Sequence, residues 1–328
     1  MSRRPLSLPD ASENNVSDGS GFVFNERDLP RLNWYGAKRA ISYVLSVAAI
    51  NSLLHAFGSV FLSQSIRERL PLNRRHTPYK LQSGSYVTLA NTLNDVVAKD
   101  IYWGNGHPKS AAVWRALRLT EILGTMSGTF LDVGSYSGVF ALVSARANPN
   151  ISAVAFEIVP ENFFLLIRNT VENDLIANVT PLLLGVGSHQ TSFRVPISLG
   201  LASYASSISL LSEFESGVEV PVSTLDVLTS GRSGPFAMKI DVEGFEASVF
   251  EGGRGFIQRE KPDIICELLF GAKRIEEIFS FLNSLEYRFF LITDEGFSQR
   301  SELFPDIEFR DWLFSPRSDI EEVLKQVD

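Results

Sequence analysis

From residue 129 onward, the chain alternates short apolar runs with longer mixed stretches. Seven runs rich in β-branched or aromatic residues predict strands: TFLDV, SAVAFE, VTPLLL, FAMKID, DIICEL, YRFFLI and DWLFS. Most of these runs are separated by enough residues for a helix, which is the connection that parallel strands require. The alternation therefore predicts an α/β fold with a mainly parallel central sheet.

One connection departs from this alternation. Between VTPLLL and FAMKID, the segments SFRVPI and VEVPVSTL have the composition of two further strands. We interpret these two segments as the two strands of a hairpin. The sequence thus predicts a β-hairpin inserted before the fourth strand of the sheet.

The bulk composition excludes several classes of protein. The net charge of -8 argues against a dedicated nucleic-acid binder, because phosphate contacts need clustered Lys and Arg. The single cysteine, Cys266, excludes an intrachain disulfide and fits a reducing compartment such as the cytoplasm. One cysteine and four histidines also argue against a structural zinc site.

The amino-terminal part is organised differently from the rest. We divide the chain into a flexible tail over 1–30, a helical extension over 31–125 and an α/β domain over 126–328. Residues 1–30 are rich in Ser, Asn, Asp and Arg with little apolar periodicity, which is typical of a flexible tail. Residues 41–63 contain no charged residue and are long enough to cross a bilayer. Serines recurring through that segment also indicate a polar stripe along a helix. A packed helix, a helix on a membrane surface and a membrane span all stay open.

The stretch TFLDVGSYSGVF ends a predicted strand near Asp132 and begins a helix near Gly138. Parallel sheets bind ligands at the carboxyl ends of their strands, and Gly134 allows a ligand to approach bare backbone there. The pattern is not the G-x-G-x-x-G turn that holds a pyrophosphate on free helix amides. An acidic residue in front of the glycines instead favours a ligand with positive charge, such as S-adenosylmethionine.

A second predicted strand also ends in a carboxylate. Glu157 closes SAVAFE, 25 residues after Asp132. An acidic residue at this place can accept hydrogen bonds from both hydroxyls of a ribose. The alternative is a carboxylate that merely terminates the strand. Taken together, the two acidic strand ends and the glycine turn predict a nucleoside-binding α/β domain.

Four segments stand out along the chain: DVGSYSG, FEIVPENFFLLIRNTVEN, KIDVEGFEASVFEGG and KPDIICEL. In their order and approximate spacing, the chain resembles the FkbM-type S-adenosylmethionine-dependent methyltransferases. The resemblance spans about residues 120–316. It implies a Rossmann-like class I methyltransferase fold, with a seven-stranded, mainly parallel sheet whose last strand is antiparallel. It also implies methyl transfer, usually to a hydroxyl oxygen of a sugar, a polyketide or a similar small metabolite.

The resemblance also carries functional positions over to this sequence. The residues that it places around the cofactor are Asp132, Gly134, Ser135, Tyr136, Gly138 and, at the ribose, Glu157. Tyr136 departs from the family's pattern, which commonly has a small or amide side chain there. Asn169 and Asn173 match asparagines in the helix after the second strand, where a structural role is expected.

Three further carboxylates are candidates for catalysis. Asp241 lies at the carboxyl end of the strand FAMKID, and Glu243 follows two residues later. Glu267 ends the neighbouring strand DIICEL, so all three are expected at the same rim of the sheet. One could act as general base for an alcohol, or together they could hold a divalent cation that lowers the alcohol's pKa. The structural alternative is that Glu243 or Glu246 pairs with a neighbouring cation or caps a helix amide.

Two rival functions stay open on the sequence alone. A nicotinamide-dependent oxidoreductase would share the fold class, but the chain lacks G-x-G-x-x-G and would set Asp132 against a pyrophosphate. A noncatalytic, membrane-associated module could keep the methyltransferase fold without turnover. The sequence favours the methyltransferase acting on a small hydroxylated acceptor, in the cytoplasm or associated with a membrane through residues 41–63.

Overall fold

The computed structural model describes residues 75–90, 95–108, 110–196 and 216–327. The predicted tail and the apolar segment 41–63 lie outside these ranges. Among the helices within them, none combines the length and the apolar character needed to cross a membrane.

The strands are β1 (His76–Lys80), β2 (Tyr86–Ala90), β3 (Thr129–Val133), β4 (Ser152–Glu157), β5 (Val179–Leu183), β6 (Gly185–Val186), β7 (Thr191–Val195), β8 (Val218–Ser223), β9 (Phe236–Ile240), β10 (Asp263–Glu267), β11 (Arg288–Thr293), β12 (Gly296–Arg300) and β13 (Asp311–Ser315). The helices are α1 (Val96–Trp103), α2 (Ala111–Met126), α3 (Val139–Ala147), α4 (Pro160–Glu172), α5 (Leu225–Leu228), α6 (Glu246–Gly252), α7 (Arg254–Glu260), α8 (Ile275–Ser284) and α9 (Ile320–Leu324).

The centre of the molecule is an eight-stranded sheet with the order β12-β11-β13-β10-β9-β3-β4-β5. Strands β5, β4, β3, β9 and β10 run parallel, and β13 is antiparallel to both of its neighbours. All seven predicted strands are present, and the last one is antiparallel as predicted. The eighth strand, β12, pairs with the edge strand β11. The prediction missed it because GFSQR has only one large apolar residue and its burial pattern shows no fully buried position.

The chain leaves β3 towards β4 and β5 on one side and returns through β9 and β10 on the other side. Such a reversal of strand order opens a crevice outside the carboxyl ends of the central strands, where open α/β sheets bind their ligands. The glycine turn follows β3 directly, so the fold brings it to this crevice.

Each face of the sheet packs into its own apolar cluster. Successive residues of a strand point to opposite faces, and β3 shows the consequence. Phe130 lies in the cluster formed with α2 and α3, whereas Leu131 and Val133 lie in the cluster formed with α6, α7 and α8. Position 132 is therefore directed towards α3.

Residues 76–90 fall within the segment that we predict to be helical, but they form the hairpin β1–β2. Tyr79, Val87 and Leu89 are fully buried, and exposed or partly exposed residues alternate with them. This period of two indicates half-buried strands and, with the Ser-Gly turn between them, overrides the helical interpretation. Helices α1 and α2 follow in the part of the extension predicted as helical.

The inserted hairpin is confirmed, because β7 and β8 pair as antiparallel strands. The short strand β6 pairs with β8 on its other edge, so the insertion forms a separate three-stranded sheet. Residues 197–215, between β7 and β8, lie outside the described ranges.

Asn169 of α4 and Asn173, which caps the carboxyl end of α4, bind the backbone of β2. The Asn173 side chain accepts a hydrogen bond from the Thr88 N–H at 2.8 Å and donates to the Thr88 carbonyl at 2.7 Å. The Asn169 side chain accepts from the Ala90 N–H at 2.8 Å and donates to the Ser137 carbonyl at 2.8 Å. These contacts agree with the structural role expected of both residues, and Asn169 ties the hairpin to the glycine turn.

Replacing Asn169 with Ala should destabilise the protein measurably. The buried Ala90 N–H and the Ser137 carbonyl would both lose their side-chain partner, and each unsatisfied group costs about 1–3 kcal/mol. We expect the free energy of unfolding, measured with urea, to fall by about 2–4 kcal/mol. The control is Asn178→Ala, because Asn178 donates to the Pro149 carbonyl at the surface. Equal losses in the two variants would contradict this role for Asn169.

Candidate active site

A cavity of about 380 Å³ opens at the carboxyl ends of β3, β4, β9 and β10. This volume falls within the roughly 300–1,000 Å³ that is typical of small-molecule sites. The side chains that form its apolar wall are Val96, Val97, Val133, Val139, Phe140, Phe156, Ile158, Val159, Leu184, Val186 and Val242. The charged residues that line it are Glu157, Lys239, Asp241, Glu243 and Glu267.

The glycine turn is held against the strands on both sides of β3. Gly134 has a φ of 79°, and a Cβ atom at this position would lie 1.8 Å from the Asp241 carbonyl oxygen. The Gly134 and Ser135 N–H groups both donate to the Phe156 carbonyl at 3.0 Å. Only glycine therefore allows the end of β3 to approach the end of β9 this closely.

Glu157 fastens the same turn to the end of β4. Its carboxylate accepts hydrogen bonds from the Tyr136 N–H and the Val159 N–H, both at 2.7 Å. Burial raises the pKa of Glu157 to about 7, although these N–H groups favour the ionised form. The Asn162 side chain also hydrogen-bonds to this carboxylate. Glu157 lines the cavity, where a ligand can contact it.

Tyr136 adopts a left-handed backbone conformation with a φ of 51°, which is uncommon for a residue other than glycine. Its hydroxyl oxygen accepts a hydrogen bond from the Val96 N–H at 3.3 Å, at the first residue of α1. The side chain thus spans from the glycine turn to α1 and forms part of the cavity wall. This contact gives a physical role to the position that departs from the family's pattern.

Two predicted cofactor residues do not line the cavity. Asp132 is fully buried beneath α3, and its Oδ2 accepts a hydrogen bond from the Ala141 N–H at 3.0 Å. Burial raises the pKa of Asp132 to about 7. Gly138 precedes α3 with a φ of 83°, and a Cβ there would lie 2.3 Å from Leu166 Cδ1. The structure corrects the prediction that Asp132 contacts a cationic ligand directly. Side chains alternate between the two faces of β3, and that of Asp132 points to the face covered by α3.

Two buried serines of the turn lie at the cavity. Ser135 and Ser137 both line it and are 4% and 0% exposed. Their Oγ atoms have no hydrogen-bond partner among the described residues. Since buried polar atoms are nearly always paired, these hydroxyls fit a polar ligand. The sequence interpretation missed Ser137, although its place between the two glycines of the predicted turn was an available indication.

These features fit S-adenosylmethionine. The cavity combines an acidic group for the ribose, an apolar wall for the base, and unpaired hydroxyls beside exposed backbone for the amino-acid end. The predicted residues Gly134, Ser135, Tyr136 and Glu157 all line this cavity.

The three candidate catalytic carboxyl groups line the same cavity. Burial and the charge of Asp241 raise the pKa of Glu243 to about 7, and Glu243 has a left-handed φ of 52°. Burial, the charge of Asp241 and a hydrogen bond to it raise the pKa of Glu267 well above its usual range. Glu267 is therefore neutral at pH 7 and donates to Asp241. The capping alternative applies to Glu246, which accepts a hydrogen bond from the Gly244 N–H at 2.9 Å.

A buried lysine lies beside these groups. The Lys239 ammonium is 2.9 Å from Asp311 Oδ1 and 3.6 Å from Asp241 Oδ2. Burial alone would lower the pKa of Lys239, but the surrounding carboxyl groups raise it, so the side chain is charged. Over the described ranges, no cluster of three His, Cys, Asp or Glu side chains is arranged to hold a metal ion. The divalent cation considered from the sequence gains no support from this part of the chain.

The segment that contains the turn and the carboxyl groups has recognisable relatives. Residues 132–289 match the methyltransferase FkbM domain. This segment, just under half of the chain, is a domain of the methyltransferase FkbM type. This is an S-adenosylmethionine-dependent methyltransferase domain of the Rossmann-like class I fold.

Solved methyltransferases resemble this chain at low sequence identity. The methyltransferase FkbM from Methylobacillus flagellatus is 16% identical with a TM-score of 0.41, over 69% of this chain and 56% of that one. Precorrin-6y C5,15-methyltransferase from Geobacter metallireducens is 12% identical with a TM-score of 0.37, over 63% and 88% of the two chains. An S-adenosylmethionine-dependent O-methyltransferase from Thermotoga maritima is 14% identical with a TM-score of 0.33, over 73% and 77%. The match thus spans little more than half of the Methylobacillus protein. Among curated proteins, none matches the chain.

Replacing Gly134 with Ala should abolish binding of S-adenosylmethionine, measured by calorimetry. The added methyl group would overlap the Asp241 carbonyl, so the turn must shift. Gly231→Ala is a matched control, because Gly231 has a φ of 77° and nothing within 4 Å of an added Cβ. The control carries only the roughly 1–2 kcal/mol cost of a left-handed alanine, so it should bind like the wild type. If both variants bound normally, the close approach at Gly134 would not define the cofactor site.

Proposed function

We propose that the protein transfers the methyl group of S-adenosylmethionine to a hydroxyl oxygen of a small metabolite. The proposal is based on one observation: the groups that would bind the cofactor and the candidate acid–base groups line the same cavity. Glu157 and the glycine turn line it, and so do Asp241, Glu243 and Glu267. Binding groups and acid–base groups therefore share one volume, which in-line transfer between two bound molecules requires.

The residues of the turn would bind and orient the donor. Glu157 would accept hydrogen bonds from the ribose hydroxyls, and the unpaired hydroxyls of Ser135 and Ser137 would contact the amino-acid end. When bound, S-adenosylmethionine supplies a methyl group that is activated by its sulfonium. Correct orientation of bound reactants can contribute about 7–11 kcal/mol, whereas a general base adds about 10²–10⁴-fold. Alignment by the cavity should therefore dominate the rate enhancement.

The three carboxyl groups suit different tasks because their environments differ. A pKa of about 7 makes Glu243 the best candidate to accept the proton of the acceptor hydroxyl near neutral pH. Glu267 keeps its proton and donates a hydrogen bond to Asp241, and the Asp241 carboxylate at the cavity would orient the acceptor. Carboxyl groups whose pKa values are driven apart by their surroundings are typical of acid–base sites.

The acceptor class follows from the resemblance and from the size of the cavity. FkbM-type enzymes are expected to act on sugars, polyketides or similar hydroxylated metabolites, and a cavity of about 380 Å³ suits small molecules. The net charge of -8 favours such an acceptor over a nucleic acid. The acceptor is found by incubating the protein with labelled donor and a metabolite extract, followed by mass analysis of the product.

Replacing Glu243 with Gln should remove the pH dependence of the transfer step. The base works only when it is deprotonated, so kcat of the wild type should rise with pH through about 7 and level off above it. We expect Glu243→Gln to lower kcat by about 10²-fold or more and to abolish this rise, because alignment remains but the proton acceptor is lost. The measurement is kcat against pH, with the acceptor that the wild type methylates.

Asp241→Asn serves as the comparison variant. It should lower kcat while leaving the affinity for S-adenosylmethionine near the wild-type value. Its pH profile should still rise, at a pH below that of the wild type, because the charge of Asp241 helps to raise the pKa of Glu243. A Glu243→Gln profile that still rises near pH 7 would exclude Glu243 as the base. Equal losses of kcat and cofactor affinity in Asp241→Asn would remove Asp241 from the acceptor side.

A further inference from the structure

The charge arrangement at the cavity wall is unusual for a site that serves stability alone. The Lys239 side chain is 2% exposed, and its ammonium contacts Asp311 at 2.9 Å and Asp241 at 3.6 Å. Its Nζ also lies 5.3 Å from the centre of the Phe140 ring. Taking an ammonium and its partners out of water costs free energy, and well-packed apolar residues often stabilise a core as well or better.

The strand register adds to this cost. Asp311 begins β13 and pairs directly with Glu267 at the end of the antiparallel strand β10. Acidic side chains directly opposite one another on neighbouring strands destabilise a sheet when both are charged. The arrangement persists because Lys239 lies among these groups and because Glu267 is protonated. Its position at the reactive end of the sheet suggests a role in the reaction.

The two acidic partners of Lys239 differ in access to the cavity. The Asp241 side chain is 33% exposed and lines the cavity, whereas that of Asp311 is 15% exposed and does not line it. Asp311 forms the shorter contact, so it holds the flexible lysine side chain on the β13 side. Without that contact, the ammonium would be free to close on Asp241 and to draw its carboxylate away from the acceptor.

We propose that Asp311 is a positioning residue for the transfer reaction: it anchors the Lys239 ammonium at the cavity wall, so that the Asp241 carboxylate keeps its orientation towards the acceptor. The inference rests on the proposed function. Asp311 was not among the residues predicted from the sequence. Unlike the carboxyl groups that line the cavity, it would act on the acceptor only through Lys239 and Asp241.

The kinetic test compares asparagine variants of two aspartates on the same pair of strands. Asp311→Asn breaks the anchor, and Asp263→Asn removes a carboxylate from the opposite end of β10, where it binds the Ser315 hydroxyl. We expect Asp311→Asn to lower kcat about 10- to 100-fold with unchanged affinity for S-adenosylmethionine, as small misplacements of a reacting group do. Asp263→Asn should keep the wild-type kcat at a temperature at which both variants are folded. An unchanged kcat in Asp311→Asn, or equal losses in the two variants, would overturn the proposal.

A second readout does not depend on an acceptor. In protein labelled with ¹³C at the glutamate carboxyl groups, NMR follows the titration of Glu267, assigned with the Glu267→Gln variant. The charged groups around Glu267 are Asp241, Lys239 and Asp311. Removing the negative charge of Asp311 should lower the pKa of Glu267, while Asp263→Asn should leave it unchanged.

The two readouts separate failure of this inference from failure of the proposed function. If the wild type methylates no hydroxylated compound, the proposed function fails, and the titration still decides whether Asp311 controls the groups at the cavity wall. A Glu267 titration that is identical in Asp311→Asn and in the wild type would refute the anchor in either case.

Discussion

The end of β3 approaches the end of β9 so closely that a side chain at position 134 would overlap the backbone of Asp241. The parallel pairing of these strands continues through the Asp241 N–H, which donates to the Val133 carbonyl at 2.9 Å. This approach brings the turn that would hold the cofactor beside the residues that would meet the acceptor. Glu157 completes the arrangement from the other side by binding two N–H groups around the turn. The geometry of the whole site depends on this contact between neighbouring strand ends.

Burial then determines what each carboxyl group can do. The cavity gathers several acidic side chains around one lysine, and such a cluster could not keep every member ionised at low cost. Glu267 responds by keeping its proton, and Glu243 acquires a pKa of about 7. Lys239 stays charged because carboxyl groups surround it. Local electrostatics, rather than residue type alone, therefore distinguishes a hydrogen-bond donor, a proton acceptor and an orienting group within one set of acids.

Much of the fold could be predicted because its strands are short apolar runs of β-branched and aromatic residues, separated by helices. The same regularity located the glycine turn and brought Asp241, Glu243 and Glu267 to one rim. The hairpin β1–β2 was missed because a helical interpretation was extended over its alternating pattern. Strand β12 was missed because an edge strand with a mostly polar sequence has no apolar periodicity.

Other features depend on contacts that join distant parts of the chain. Asp132 was expected at the cavity surface, but the face to which it points is decided by the register of β3 in the sheet. Asp311 could be recognised only once its strand was known to run antiparallel, which places its first residue at the carboxyl ends of the parallel strands. The hydrogen bond between Tyr136 and Val96 joins the turn to α1 across 40 residues. No local pattern predicts such a contact.

The most direct test of this account is calorimetric titration of the full chain with S-adenosylmethionine and, separately, with NAD. A cavity lined by an acidic strand end and lacking a pyrophosphate-binding turn should bind S-adenosylmethionine at one site per chain and should not bind NAD. Binding of NAD without binding of S-adenosylmethionine would contradict the account, because the same crevice would then hold an anionic dinucleotide.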